Sequence, residues 1–193
     1  TIINPFSVKT FLSNIPVIIS GSHKGRRLSA PKNLPVRPTT DRSKEALFNI
    51  LQNQYQWDAV AVLDLFSGTG SISYEFASRG VKNVIAVDQN KMCVNYIRKT
   101  SEQLEFPIQV IQIEAVKYIK AVNQQFELVF ADPPYGMEKD LYTEMITGIF
   151  DKKVLTEKGL MIVEHSDQMS LEGNSFFYES RRYGSNVFSF FKY

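Results

Sequence analysis

The tetrad Asp132-Pro133-Pro134-Tyr135 has the side chains needed to activate a planar amine. An amino group on an aromatic base is a poor nucleophile because its lone pair is delocalised into the ring. Two hydrogen-bond acceptors that draw its protons into a tetrahedral arrangement return that pair to nitrogen. Asp132 can be one acceptor and the Pro133 carbonyl the other, and the two prolines fix the backbone so that the carbonyl keeps its aim. Tyr135 offers an aromatic face to an extruded base: unstacking costs a few kcal/mol, and stacking on a side chain returns roughly 1–3 kcal/mol. Attack of such an amine on a methyl sulfonium is an in-line displacement from a good leaving group, so positioning supplies most of the acceleration. Asp132 is also placed to receive the departing proton. The plain alternative is a diproline turn after a strand, and the surroundings of the tetrad argue against it.

Those surroundings are a glycine loop and two further acids. Asp64-Leu65-Phe66-Ser67-Gly68-Thr69-Gly70 follows an apolar run, and glycines at a strand-to-helix turn let backbone approach a ligand closely. A nicotinamide-dinucleotide fingerprint would carry a third glycine where Ser73 stands, and Asp64 would set negative charge where a pyrophosphate sits. A carboxylate there suits a cofactor with a cationic amine, such as the methionine part of S-adenosylmethionine. Asp88, 20 residues after Gly68, is the place for an acceptor to ribose hydroxyls, and Glu114 can accept from an adenine amino group. Any one of these acids alone reads equally as a helix cap. Three of them beside a glycine loop do not.

The elements that must position these groups alternate. Ala59–Phe66, Val84–Val87, Leu128–Ala131 and Gly159–Val163 are short continuous apolar runs, as parallel strands covered on both faces require. Ile108–Ile113 alternates like an edge strand. Between them lie helical patterns: Ile72 and Phe76 with Gly80 to end the helix; Met92, Cys93, Tyr96 and Ile97 after a capping Asn90; Ala115, Tyr118, Ile119 and Val122; and Leu141, Tyr142, Met145, Ile146 and Ile149. This rhythm predicts a doubly wound α/β sheet. Phe176–Tyr183 and Val187–Tyr193 around Gly184-Ser185-Asn186 predict an antiparallel hairpin added at one edge. Upstream, Asp41 is placed to cap a helix bearing Leu47, Ile50 and Leu51. Val17–Ser20 and Arg26–Ala30 about a Gly21–Gly25 turn read as a small basic hairpin, and Pro31, Pro35 and Pro38 keep the following chain extended.

The 193 residues, 44% of them hydrophobic, suffice for one methyltransferase-sized core, expected over residues 41–193, with residues 1–40 as a basic extension. Lys9, Lys24, Arg26, Arg27, Lys32, Arg37, Arg42 and Lys44 against Asp41 and Glu45 give residues 1–45 a net +6, although the whole chain is only +2. A basic arm on a mildly acidic body suits a polyanionic partner. The single cysteine, Cys93, excludes an internal disulfide and fits a reducing cytoplasm. His23 and His165 lack ligand partners at metal-binding spacing, so no metal is expected. No run reaches the ~18 apolar residues of a membrane span, and Thr1–Ser20 lacks the pattern of a signal peptide. A soluble monomer is the expectation. His165 is expected to be solvent-facing or hydrogen-bonded, and His23 to stack on RNA or serve as an ordinary turn residue.

The glycine loop with the Asp-Pro-Pro-Tyr tetrad resembles the class I S-adenosylmethionine-dependent methyltransferases that modify planar amino groups. Ile18-Ile19-Ser20-Gly21, Lys24-Gly25-Arg26-Arg27-Leu28 and Arg37-Pro38-Thr39-Thr40-Asp41-Arg42 narrow the match, as does Tyr183-Gly184-Ser185 with Phe188-Ser189-Phe190-Phe191. Together they closely resemble the RsmD family, the small-subunit (16S) rRNA guanine-N2 methyltransferases, over nearly the whole chain from Val17. The resemblance implies that Asp64, Gly68 and Gly70 hold the methionine end of S-adenosyl-L-methionine and that Asp88 meets the ribose. Phe66, Thr69, Glu114, Ala115, Thr39 and Thr40 complete the cofactor-binding set, with glutamate at 114 where aspartate is more usual. It assigns Asp132, Pro133, Pro134 and Tyr135 to the guanine amine and lets the Arg37–Arg42 segment close over the site. Lys24, Arg26, Arg27, Arg37 and Arg42 would grip rRNA, in an assembled or assembling small subunit. Two rivals stay open: a DNA adenine-N6 methyltransferase, for which no separate target-recognition segment is visible, and an rRNA-binding assembly factor without catalysis. A nicotinamide dehydrogenase is more distant.

Overall fold

The computed structural model describes residues 16–31, 34, 41–134 and 136–193. Arg37, Thr39, Thr40 and Tyr135 therefore lie outside the described residues, as do Pro35 and Pro38. Seven strands form one sheet: β1 (Ala61–Leu65), β2 (Asn83–Asp88), β3 (Ile108–Gln112), β4 (Phe126–Ala131), β5 (Leu155–Ser166), β6 (Phe177–Tyr183) and β7 (Asn186–Phe191), in the order β3-β2-β1-β4-β5-β7-β6. β1 to β5 are parallel, and β7 enters antiparallel between β5 and β6. This is the doubly wound sheet with an antiparallel hairpin that the sequence predicts, with β3 at one edge.

Alternation along the central strands explains why both faces are covered. Leu63, Leu65, Val87, Val129, Met161 and Val163 pack on one side beneath α4 (Ala115–Ala121) and α5 (Lys139–Asp151). Val62, Val84, Leu128, Phe130, Leu160 and Ile162 pack on the other beneath α1 (Asp41–Leu51) and α2 (Ser71–Ser78). Two helix boundaries follow the local chemistry. Gly80, at φ 106°, closes α2 with Val81 N–H on the Phe76 carbonyl (3.1 Å) and Gly80 N–H on that of Ala77 (3.0 Å), a Schellman pair. Asn90 caps α3 (Lys91–Gln103) by accepting from Met92 N–H (2.8 Å) and Cys93 N–H (3.3 Å).

Several expectations need correction. Asp41 is the first residue of α1, and its carboxylate accepts the Val17 N–H (3.2 Å) rather than serving as a preceding cap. Met92 and Leu141, assigned to apolar stripes, are exposed. β5 extends beyond Gly159–Val163 at both ends. The basic hairpin does form: beside the Val17–Arg27 bridge, Ile18 N–H bonds the Arg26 carbonyl (2.9 Å), Gly25 N–H that of Ile18 (2.8 Å) and Leu28 N–H that of Pro16 (2.9 Å). Lys44, counted with the arm's charges, is fully buried. Its ammonium donates to the Val17 carbonyl (2.6 Å) and Ser71 Oγ (3.1 Å), between Asp41 and Glu75. Burial pulls its pKa down, and the two carboxylates oppose that shift.

Residues 16–31 dock on α2. Glu75, itself fully buried, accepts the N–H groups of Ile19 (2.7 Å) and Ser20 (3.0 Å) and pairs with Arg79 (2.9 Å), while Ile18 and Leu28 enter a core with Tyr74, Ala86, Ile97 and Leu104. Gly21 comes so close to α2 that an added Cβ would stand 1.8 Å from the Ser78 carbonyl oxygen, at a φ of 81°. The torsion alone costs an ordinary residue about 1–3 kcal/mol, and the backbone overlap cannot relax by a side-chain rotation. Gly21→Ala is therefore expected to lift the arm off α2 and accelerate tryptic cleavage at Lys24, Arg26 and Arg27. An unchanged cleavage rate would show that this contact does not hold the arm.

Candidate active site

The carboxyl ends of β1, β2 and β4, with the turn after β3, open onto one cavity of about 510 Å³, within the range of small-molecule sites. Its floor is the loop after β1. Phe66, Gly68 and Gly70 all have positive φ (60°, 53° and 78°), a tight winding that glycine adopts without strain. Ser67 ties the loop back, donating from Oγ to the Asp64 carbonyl (2.7 Å) and from its N–H to that of Val87 (3.0 Å). Gly70 caps α2 in the left-handed conformation, and a Cβ there would meet the buried Tyr74 ring at 2.8 Å.

None of the three strand-end acids caps a helix through its side chain alone. Asp64 is fully buried and accepts from Ser73 Oγ at 2.5 Å. Desolvation is the largest influence on it and pushes its pKa up to about 7; the Ser73 hydrogen bond opposes this, and Asp132 and Asp88 add to it. Asp88 braces the loop: Oδ2 accepts Gly68 N–H (2.8 Å) and Oδ1 accepts Asn90 N–H (2.7 Å). Glu114 occupies the N-cap position of α4 without a capping hydrogen bond, and its half-exposed carboxylate pairs with Lys117 (2.9 Å). The longer side chain is thus drawn along α4, although Glu114 and Ala115 both border the cavity.

Asp132 and Pro133 close the far wall. Asp132 is partly exposed, Pro133 is buried and Pro134 is exposed, with Met137 N–H on the Pro134 carbonyl (2.9 Å) forming the following turn. Asp64, Phe66, Gly68, Thr69, Asp88, Glu114, Ala115, Asp132, Pro133 and Pro134 all line this one cavity, and Gly70 shapes the loop beneath it. Apolar walls escaped the sequence reading: Ile113 and Val116 beside Glu114, and Met137 and Leu141 beyond the tetrad. The periodicity of α5 marks Leu141 as apolar but cannot distinguish a core-facing residue from one facing a cavity.

The arm stands apart from this wall set. Lys24, Arg26 and Arg27 are exposed on its turn, and Arg42 is exposed on α1. His23 is half-buried, with its ring edge-on to Phe106 at 4.7 Å and Nδ1 against Ser22 Oγ. His165 is buried and hydrogen-bonded through Nε2 to Ser189 Oγ (2.7 Å) and through Nδ1 to the Ser166 carbonyl (2.9 Å). Burial lowers its pKa, favouring the neutral ring. Among the described residues no group of three or more His, Cys, Asp or Glu side chains could hold a metal ion, and no helix is long and apolar enough to cross a membrane.

The donor set fits S-adenosylmethionine. Four carboxylates, Asp64, Asp88, Glu114 and Asp132, line the cavity and suit a ligand carrying a sulfonium and an ammonium, with the glycine loop and apolar walls beside them.

Comparison with known proteins gives the same picture. The family model described as Conserved hypothetical protein 95 matches residues 17–192. The Bacillus subtilis protein YlbH is 33% identical over 80% of this chain and 84% of its own length. Ribosomal RNA small subunit methyltransferase D of Haemophilus influenzae is 32% identical over 76% of this chain and 77% of its own length. The solved structure of Escherichia coli yhhF superimposes with a TM-score of 0.77 at 26% identity, covering 91% of this chain and 96% of that one.

Proposed function

We infer that this chain, which belongs to the Conserved hypothetical protein 95 (RsmD) family, methylates the exocyclic N2 amine of a guanosine in small-subunit (16S) rRNA. Family and fold make it an S-adenosylmethionine-dependent methyltransferase of class I. The observation that carries the finer reading is the placement of Asp132 and Pro133 on the wall of the cavity that also holds Asp64, Asp88 and Glu114. An amine presented there meets two acceptors next to the cofactor site.

Bound S-adenosylmethionine supplies an electrophilic methyl group on a sulfonium. Asp64 and the loop of Gly68 and Gly70 would hold its methionine end, Asp88 would accept from the ribose hydroxyls, and Glu114 and Ala115 would meet the adenine, with Ile113 and Val116 as the nearby apolar wall. Asp132 and the Pro133 carbonyl each accept a hydrogen bond from one amine N–H, which relocalises the nitrogen lone pair and holds it in line. Asp132 then accepts the proton that the methylated amine sheds. Tyr135 stacks on the extruded base, and Thr39 and Thr40 help enclose the cofactor. Lys24, Arg26, Arg27, Arg37 and Arg42 contact rRNA phosphates, which gives binding a steep salt dependence. The printed name of the Haemophilus influenzae relative supports rRNA of the small subunit as substrate, and the Arg37–Arg42 resemblance supports guanine N2.

The test is transfer of labelled methyl from S-adenosylmethionine to three substrates: small subunits lacking the modification, naked 16S rRNA, and DNA. Label on subunits, mapped by mass spectrometry to guanine N2, is the expected result. Label on DNA adenine instead would replace this reading with the adenine-N6 one. Cofactor binding without transfer to any of the three would leave the fold standing and put the substrate back in question, whereas absence of cofactor binding would favour a silent assembly factor.

A further inference from the structure

Behind the catalytic wall lies a second, much smaller chamber of about 20 Å³, bordered by Asp132 and Pro133 on one side and by Glu164, His165 and Ser166 on the other. The sheet register explains the meeting. Ala131 of β4 pairs with Val163 of β5, so the next residues along the two strands are Asp132 and Glu164. Glu164 is 4% exposed. A carboxylate at that depth loses most of its hydration, and such groups persist where they are held by hydrogen bonds or serve a neighbouring site.

The hold comes from the C-terminal hairpin. Ser166 pairs with Asn186 in the β5–β7 ladder, and Asn186 Nδ2 donates to Glu164 Oε1 at 2.5 Å. One strand position away, Ser189 binds His165 Nε2. β7 thus fixes both polar side chains at the end of β5, and both residues border the chamber behind Asp132 and Pro133.

We propose that Glu164, oriented by Asn186, is a positioning residue that holds the Asp132–Pro133 edge in its amine-accepting geometry from behind. The proposal rests on the methyl-transfer reading of that edge. The chamber is the size of one water molecule and has polar walls, so Glu164 can act on Asp132 through a single bridging water. Its charge also bears on Asp132 together with the other groups converging there: Asp64 from β1, Asp88 from β2, His165 from β5 and the Tyr142 phenol from α5. An added negative neighbour makes a carboxylate a stronger proton acceptor, that is, raises its pKa.

The test compares E164Q with the wild-type enzyme in methyl transfer, at saturating cofactor and rRNA substrate, across pH. A loosely held reacting edge costs on the order of 10- to 100-fold in rate. The expected result is that loss in kcat, with S-adenosylhomocysteine affinity within two-fold, an unchanged melting temperature, and the acid limb of the kcat profile displaced to lower pH. Asn186→Ala should move kcat in the same direction by less, and it provides the test if E164Q does not fold. Full turnover in both variants would overturn the proposal. So would an unmoved acid limb, or a loss of rate matched by loss of cofactor binding or melting temperature, since those mark a purely structural role. Absence of transfer by the wild-type enzyme would instead refute the underlying function, whatever the variants do.

Discussion

Asp132→Ala is expected to cut methyl-transfer turnover by roughly 10²- to 10⁴-fold, the range for losing a positioned acceptor or general base, while cofactor affinity stays within a few-fold. The amine cannot be made nucleophilic by the Pro133 carbonyl alone, because one acceptor leaves the second proton in the plane of the ring and the lone pair delocalised into it. Cofactor binding is protected by two opposing consequences. Removing the Asp132 charge weakens attraction for a cationic ligand. It also withdraws one of the neighbours that raise the pKa of Asp64, leaving more of that carboxylate ionised at neutral pH. Asp132→Asn keeps a carbonyl acceptor and should retain more activity than alanine. Single-turnover transfer measured beside equilibrium binding of S-adenosylhomocysteine separates the two effects. An equal loss in both would remove Asp132 from the chemistry and make it part of the cofactor site.

Much of this site was legible because its parts are local. Strand runs buried on both faces, the Gly80 Schellman ending and the Asn90 cap depend on residues within a turn of one another. Asp64, Asp88, Glu114 and Asp132 reach one cavity because the parallel topology that the same runs predict brings the carboxyl ends of β1 to β4 to one rim, in the spatial order β3-β2-β1-β4. What could not be read depends on partners far apart in sequence. Glu75 looks like an exposed helical acid until residues 19 and 20 return to it, and Lys44 looks like part of a basic run until Val17 and Ser71 enclose it. Glu164 and His165 look like the solvated end of a strand because their ligands, Asn186 and Ser189, arrive only with the closing hairpin. For the same reason β5 reads short from sequence: Thr156, Glu157 and Lys158 carry no apolar signal, yet they continue the strand.

Cofactor affinity should rise with pH up to about 7 and then level off, and Asp64 is the cause. In the free protein its carboxyl is buried away from solvent and its pKa is pushed up to about 7, mainly by desolvation, so near pH 6 it is largely protonated. A ligand ammonium beside it favours the carboxylate, so binding expels the proton. Affinity then falls towards tenfold per pH unit below the free-state pKa, by linkage. The same group predicts a stability trend of opposite sense. Below the ordinary value of 3.8 the carboxyl is protonated in both folded and unfolded chains. As pH rises from there towards 7, only the unfolded chain ionises, and the folded state loses up to about 1.4 kcal/mol per pH unit, roughly 4 kcal/mol across the interval. Asp64→Asn removes the titration but keeps an acceptor for the Ser73 hydroxyl. The free variant should therefore be more stable than the wild-type protein at pH 8 and bind S-adenosylhomocysteine more weakly, with no slope between pH 5.5 and 7. A variant that kept the wild-type slope would move the titrating group elsewhere in the cavity. Loss of the slope without loss of affinity would mean that Asp64 organises the loop through Ser73 and that the cofactor amine is met by other groups.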